Sequence, residues 1–364
     1  MTMEMQTPFT TSFGTQTHRD LLIVEARSGD RVGYGECVAG GQPFYSEEFT
    51  TGCNLMLQEV LLPLLVGREI GHPDEVSEIL RPIRRNNMAK AAAEGAVWDL
   101  WARHQDVPLA SALDDAPRER VEVGLSIGVK ETDAELIEAV GTAVDAGYRR
   151  VKLKITPGRD LDMLRAVRRE FPDVPMMADA NSAYTLDDLK LFQAMDDLDL
   201  MMIEQPLAHD DIVDHRHLQA QISTPVCLDE SVHSIDDARH AIELESCQII
   251  NIKIGRVGGL TDAKRVEALC REHGVDVWCG GMLETGVGRA HNVAIAASAG
   301  FTLPGDTAPS ARYWAEDVIE PEVTMDRGYI TVPSGPGLGY TVRGDRLDAL
   351  TTSSFTIDQD GRSA

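Results

Sequence analysis

Between about residues 121 and 305 the chain alternates short apolar runs with longer amphipathic ones, and the alternation is nearly periodic. The short runs are VEVGLSIGV, RRVKLKI, VPMMADAN, LDLMMIEQP, TPVCLDES, CQIINIKI, VDVWCGG and FTLPGD. One residue from each (Ser126, Lys154, Asp179, Glu204, Asp229, Lys253, Trp278 and Leu303) marks steps of 28, 25, 25, 25, 24, 25 and 25 residues. The segments between them, such as DAELIEAVGTAVDAG, DMLRAVRREF, DDLKLFQAMDDL and TDAKRVEALCREHG, carry helical spacing. Several open on Thr, Ser or Asp, where a helix cap would sit. Strand then helix, eight times over, predicts an α/β fold closed into a parallel (β/α)8 barrel of the TIM type. An open doubly wound sheet would alternate in the same way but favours a Gly-rich phosphate turn. Neither GYGECVAGG nor GPGLGYTVRG satisfies G-x-G-x-x-G.

The flanks have a different pattern. Residues 1–115 read as an α+β capping domain, with a hairpin over LLIVEARSGDRVGYGECV turning at Ser28, Gly29 and Asp30, then helical runs including AKAAAEGAVWDLWARHQ. Residues 116–315 form the barrel. Residues 316–364 return to short strands and Gly/Pro turns (GYITVPSGPGLGYTV) and are expected to pack back on the capping domain. Hydrophobic residues, at 43%, suffice for a sizeable core. With 34 basic against 59 acidic residues the formal charge is 34 − 59 = −25, which argues against nucleic acid as a partner. No apolar run is long enough to span a membrane, and the first residues lack a secretory pattern, so a cytoplasmic location is expected. Six cysteines without C-x-x-C spacing read as reduced and buried rather than as a zinc cage or disulfide framework.

Charge at the ends of the short runs carries the chemistry. The core of a barrel strand should be Val, Ile and Leu, yet Lys154, Asp179, Glu204, Asp229 and Lys253 close five consecutive runs. In a parallel barrel that is the C-terminal rim, where catalytic groups collect. Three carboxylates on adjacent strand ends, with no His or Cys beside them, make a hard oxygen site suited to Mg2+ or Mn2+. Strands two and six of an eight-membered ring lie opposite each other, so Lys154 and Lys253 would face each other across the mouth, one on each side of a bound planar carbanion. Lys152 precedes Lys154 by two residues and points the same way.

These residues resemble the enolase superfamily in its muconate-lactonizing branch. The K-x-K pair (Lys152, Lys154), the triad Asp179, Glu204 and Asp229, and Lys253 carry the resemblance. The runs GECVAGGQPFYSEE, VKLKITPG, ADANSAYT, EQPL, CLDES, WCGGMLETGVGRAHN and PGDTAPSARYW, with Lys253-x-x-Arg256-x-Gly-Gly, narrow it to the o-succinylbenzoate synthase/N-succinylamino acid racemase subfamily. The resemblance implies an α+β cap over a modified (β/α)7β barrel; spacing alone leaves seven and eight full helices both open. It also implies Mg2+ and abstraction of a proton α to the carboxylate of a small-molecule substrate. Lys154 would be the base and Lys253 would hold the enolate or work from the opposite face. Asn181 and Glu230 would support the metal site, with Ser126, Gly281, Met282 and Leu283 at the pocket wall. Phe13 and Tyr45 would lie on the capping loops, and Arg256 matches an arginine of the racemase-bearing members. Relatives form homo-oligomers, from dimers to octamers.

Family members carry a strand ahead of the segment matching QTPFTTSFGTQTH. Only a few residues precede it here, so the capping sheet is expected to be one strand short unless the chain begins late. His209, His215 and His217 lack metal spacing and read as surface histidines. Ser310, Arg312 and Tyr313 lack a nucleophile-elbow context. Two alternatives remain. One is a dipeptide epimerase or cycloisomerase of the same branch, although epimerases carry Asp-x-Asp after the last strand and Asp306 stands alone. The other is a barrel that has lost catalysis.

Overall fold

The side-chain alternation of the short runs is realised as a barrel in a computed structural model that describes residues 1–11 and 14–358. The capping strands are β1 (Thr2–Thr11), β2 (Gly14–Asp20), β3 (Leu22–Ser28) and β4 (Arg31–Cys37). After β5 (Arg120–Glu122) the barrel strands follow as β6 (Gly124–Ile127), β7 (Arg150–Lys154), β8 (Met176–Asp179), β9 (Ile203–Glu204), β10 (Val226–Leu228), β11 (Ile249–Ile252) and β12 (Asp276–Cys279). They form one parallel sheet in the order β12-β11-β10-β9-β8-β7-β6.

Residues 301–306, the eighth run, close the ring through isolated parallel bridges. Phe301 pairs with Val277 of β12, and Gly305 with Val123 beside β6. An α-helix follows each of β6 to β12, whereas only the 3-10 turn Ser310–Arg312 follows the eighth run. Leaving aside the single turn Ile254–Val257 that precedes Leu260–His273, seven helices and eight strand segments among the described residues make the barrel (β/α)7β.

Period two sorts each strand into an inward and an outward set. Outward residues such as Val151, Leu153, Ala178, Ile203, Ile250 and Val277 pack under the helices in the main core. Inward, Met177, Met202, Cys227, Ile249 and Trp278 form a separate apolar plug. The inward positions nearer the rim are charged, which places them at the mouth. Local caps set several helix starts: Thr132 and Glu135 form a capping box, and Asp160 and Ser234 accept from their first turns.

Two starts also take acceptors across domains, the second of them in addition to its own N-cap Thr285, which accepts from the Val287 amide. Glu94, on the helix Asn87–Gln105, accepts from the Leu260 and Thr261 amides at the start of the helix Leu260–His273. Glu36, on β4, accepts from the Thr285 and Gly288 amides and the Thr285 hydroxyl at the start of Gly286–Ala296. Both carboxylates are buried, and burial pushes each up to about 7, against the hydrogen bonds they accept. The cap therefore docks by supplying carboxyl acceptors to the free amides at the starts of barrel helices.

The hairpin forms as read, with Ser28 opposite Arg31 and a two-residue turn at Gly29-Asp30. The tail is pinned at several places: Tyr329–Thr331 pairs with β5, and Leu338 N–H donates to Asp99 of the long cap helix at 2.8 Å. Two expectations are corrected. The first capping strand is not missing: Thr2–Thr11 pairs antiparallel with β2, Thr2 opposite Asp20. His215 is not a surface residue but fully buried, with Nδ1 2.8 Å from Asp211 and Nε2 accepting from the Leu207 amide; His209 and His217 are exposed. All six cysteines are buried and unpaired, and among the described residues no helix is long and apolar enough to cross a membrane.

The long cap helix lies directly on β4 because β4 reads V-G-Y-G. A Cβ at Gly35 would sit 2.0 Å from the Ala92 carbonyl oxygen, and one at Gly33 would sit 2.3 Å from that of Ala96. These are backbone atoms that cannot swing aside, so Gly35→Ala is expected to destabilise by about 1–3 kcal/mol. The check is a shift in the chemical-denaturation midpoint.

Candidate active site

Strand β7 reads R-V-K-L-K, and its period-two cations Arg150, Lys152 and Lys154 climb the barrel interior from floor to rim. Arg150 and Lys152 share Asp306, at 2.6 Å and 2.9 Å, on the closing eighth segment. Lys152 also reaches Glu204 at 3.1 Å and Asp179 at 3.3 Å, and Lys154 reaches Asp179 at 2.6 Å. Trp278 floors the ladder, with Arg150 4.5 Å and Lys152 4.9 Å from its ring centroid. Gly124 leaves room for the guanidinium, since a Cβ there would lie 2.4 Å from Arg150 Nη2. Burial works against the charge of Lys152, but Asp306, Glu204 and Asp179 outweigh it and hold the ammonium well above its ordinary range.

The three rim carboxylates stand on neighbouring strands, Asp179 opposite Glu204 in register and Asp229 just past β10. Lys253, just past β11, donates to Asp229 at 2.7 Å, and Arg256 Nε lies 3.3 Å from the other Asp229 oxygen. Lys154 and Lys253 thus bind opposite ends of the row, and Lys152 takes the middle from below. Asn181, at a left-handed φ of 42°, accepts from Lys154 at 2.6 Å and donates to Glu230 at 2.9 Å.

Charge is least balanced in the middle of the row. Burial, then the neighbouring Asp179, pushes Glu204 up to about 8, although Lys152 pulls it down. Burial also penalises Asp179 and Asp229, yet Lys154 holds the first and Lys253 the second below the usual carboxylate range.

The predicted wall residues surround a cavity of about 320 Å3 between cap and barrel, a volume suited to a small molecule. Ser126, Lys154, Asn181, Lys253, Gly281, Met282, Leu283 and Tyr45 line it. Glu230 and Arg256 lie behind this lining, buried, touching Asn181 and Tyr45 respectively. Phe13 lies outside the described residues. The sequence reading missed Arg150, Asp306, Asn251 and Trp278. Asn251 donates to Glu204 at 2.7 Å, and Arg150 continues the K-x-K period backwards by two, which was the available signal.

The donor set fits a divalent cation. Asp179, Glu204 and Asp229 offer only oxygen, and the buried Asp229 Oδ1 makes no hydrogen bond. As the side chains stand, the lysines hold these oxygens, and among the described residues no three acidic, His or Cys side chains converge closely enough to enclose an ion.

Opposed lysines flanking strand-end carboxylates under an α+β cap define a class of enzyme that removes a proton next to a carboxylate, and comparison with known families agrees. Residues 135–346 match the enolase C-terminal domain-like family, and residues 1–113 match the mandelate racemase/muconate lactonizing enzyme N-terminal domain. The chain belongs to the enolase superfamily, in that branch. It is 56% identical to the o-succinylbenzoate synthase of Geobacillus kaustophilus over 96% of this chain and 93% of that protein. It is 44% identical to the N-succinylamino acid racemase of Thermus thermophilus, over 94% and 93% respectively. A crystal structure of an enolase-superfamily member from Listeria innocua superposes with a TM-score of 0.94 at 43% identity, covering 97% of this chain and 95% of that one.

Asp306 tests the ladder. Burial disfavours its charge, but Lys152 and Arg150 hold its carboxyl well below the usual range. Asp306→Asn leaves two buried cations short of a partner, with an expected cost of about 3–5 kcal/mol at neutral pH, read as a lower unfolding midpoint. Because the native carboxyl loses its proton at lower pH than the unfolded one, this contribution is complete above roughly pH 4. It fades as the pH falls toward the native value, so wild type and variant should converge in acid.

Proposed function

We propose that the chain is an o-succinylbenzoate synthase that also racemises N-succinylamino acids. The observation that carries this reading is the attachment of Lys154 and Lys253 to opposite ends of one carboxylate row. That arrangement offers a proton acceptor or donor to either face of a planar intermediate lying between them. The identities to relatives bearing both names support the substrate class.

In the synthase direction Lys154 takes the α-proton, and Lys253, as an ammonium, faces the charge that develops. Loss of hydroxide from the neighbouring carbon then aromatises the ring, so a water is eliminated overall. In the racemase direction one lysine removes the α-proton and the other returns one to the opposite face. Asp179, Glu204 and Asp229 would hold Mg2+ or Mn2+, which when bound supplies positive charge to the substrate carboxylate as it becomes an enediolate. Asn181 aims the Lys154 ammonium and is itself aimed by Glu230. Ser126, Gly281, Met282 and Leu283 shape the cavity, which the cap closes against water. The dipeptide epimerase reading is disfavoured because both oxygens of Asp306 are engaged by Arg150 and Lys152, leaving no strand-eight carboxylate for a substrate ammonium. The protein is assigned to the cytoplasm, as a homo-oligomer.

The test is turnover of the purified protein, with Mg2+, on the cyclohexadiene precursor of o-succinylbenzoate and on N-succinylamino acids followed by optical rotation. Both reactions are expected. Lys154→Ala and Lys253→Ala should each lower racemisation by about 10²–10⁴-fold. Wild-type turnover in either variant would overturn the assignment. Chelation should abolish both activities, and Mg2+ or Mn2+ should restore them.

A further inference from the structure

Tyr45 sits on the cap loop between β4 and the helix Thr50–Met56, yet its phenol lies among the charged groups of the barrel. The hydroxyl accepts from Lys253 Nζ at 2.6 Å and from Arg256 Nη2, and donates to Asp229 Oδ2 at 3.2 Å. Its ring also serves both cations, with the Lys253 ammonium and the Arg256 guanidinium each 5.0 Å from the centroid. Lys253 is therefore gripped from two sides, by a barrel carboxylate and by a cap phenol. The opposite lysine is held differently: among the described residues the hydrogen-bond partners of Lys154 are Asp179 and Asn181, both on the barrel.

A lysine ammonium on a flexible stem has no preferred direction of its own, and charge-assisted hydrogen bonds supply one. We infer that Tyr45 is a positioning residue for Lys253, so that proton transfer on one face of the substrate is directed by the cap together with the barrel, whereas on the other face the lysine is held, among the described residues, by barrel groups. This rests on the two-lysine reading above, and it goes further by making the two faces separately adjustable. An aromatic that only packed against substrate would change binding and leave the balance between the faces untouched. A disturbance of Asp229 and its metal would fall on both faces alike.

The experiment is α-proton exchange in D2O, followed by NMR, starting separately from the D and L antipodes of one N-succinylamino acid with Mg2+ present. Lys154→Ala and Lys253→Ala assign the faces, since each should silence exchange from one antipode. Tyr45→Phe, which keeps the ring and removes the hydroxyl, should slow exchange from the Lys253 antipode on the order of tenfold. Exchange from the Lys154 antipode should stay within about twofold, the scatter expected of a contact left intact. Tyr45→Leu, which also removes the ring, should widen the same asymmetry.

Equal slowing from both antipodes, or none from either, would overturn the inference while leaving the proposed function standing. A wild-type protein that exchanges neither antipode would remove the proposed function, and this inference with it. Circular dichroism and Mg2+-dependent melting of the variants separate a misfolded protein from a mispositioned lysine.

Discussion

Mutual neutralisation of charge inside the barrel is the constraint on which the rest of the structure depends. Arg150, Lys152, Lys154, Lys253 and Arg256 face Asp306, Asp179, Glu204, Asp229 and Glu230 in a space largely closed to water. An unpaired charge there would cost several kcal/mol, so each cation is fixed by the carboxylates around it. The apolar plug beneath, with Trp278 at its top, sets the depth at which charge begins. Outside the ring the aliphatic residues of the same strands anchor the helices, so a single alternation builds both the support and the reactive mouth.

Much of this was legible in the chain. The spacing of about 25 residues located the strands, and Lys154, Asp179, Glu204, Asp229 and Lys253 stood out because charge recurs at the same register at the ends of five consecutive apolar runs. Interactions that join positions remote in sequence were not legible. Asp306 looks like a lone turn residue until the eighth segment closes the ring and lays it against Arg150 and Lys152. His215 looks exposed on a short polar helix, but a buried acceptor is needed for the Leu207 amide, and the ring supplies it. Arg256 matched a family arginine without any hint that its partner would be a tyrosine 211 residues away.

The cap contributes more than a roof. Its loop sends Tyr45 into the mouth, its strands β1 and β2 form one side of the cavity, and its long helix touches both the tail and a barrel helix start. The cavity wall is therefore built by cap and barrel together, while the carboxylate row stands on the barrel.

Glu36 and Glu94 give that division of labour an evolutionary limit. Each supplies acceptors to first-turn amides of a barrel helix that the helix's own residues do not satisfy. The helix Leu260–His273, for instance, begins after two glycines and finds its acceptor in the cap. A cap recruited from another protein without a carboxylate at these two places would leave backbone amides bare at the joint. Recombination among such chains should therefore favour exchange of the loop tips, such as the one that carries Tyr45, over exchange of the entire cap, so that new specificities arise within a lineage of co-inherited halves.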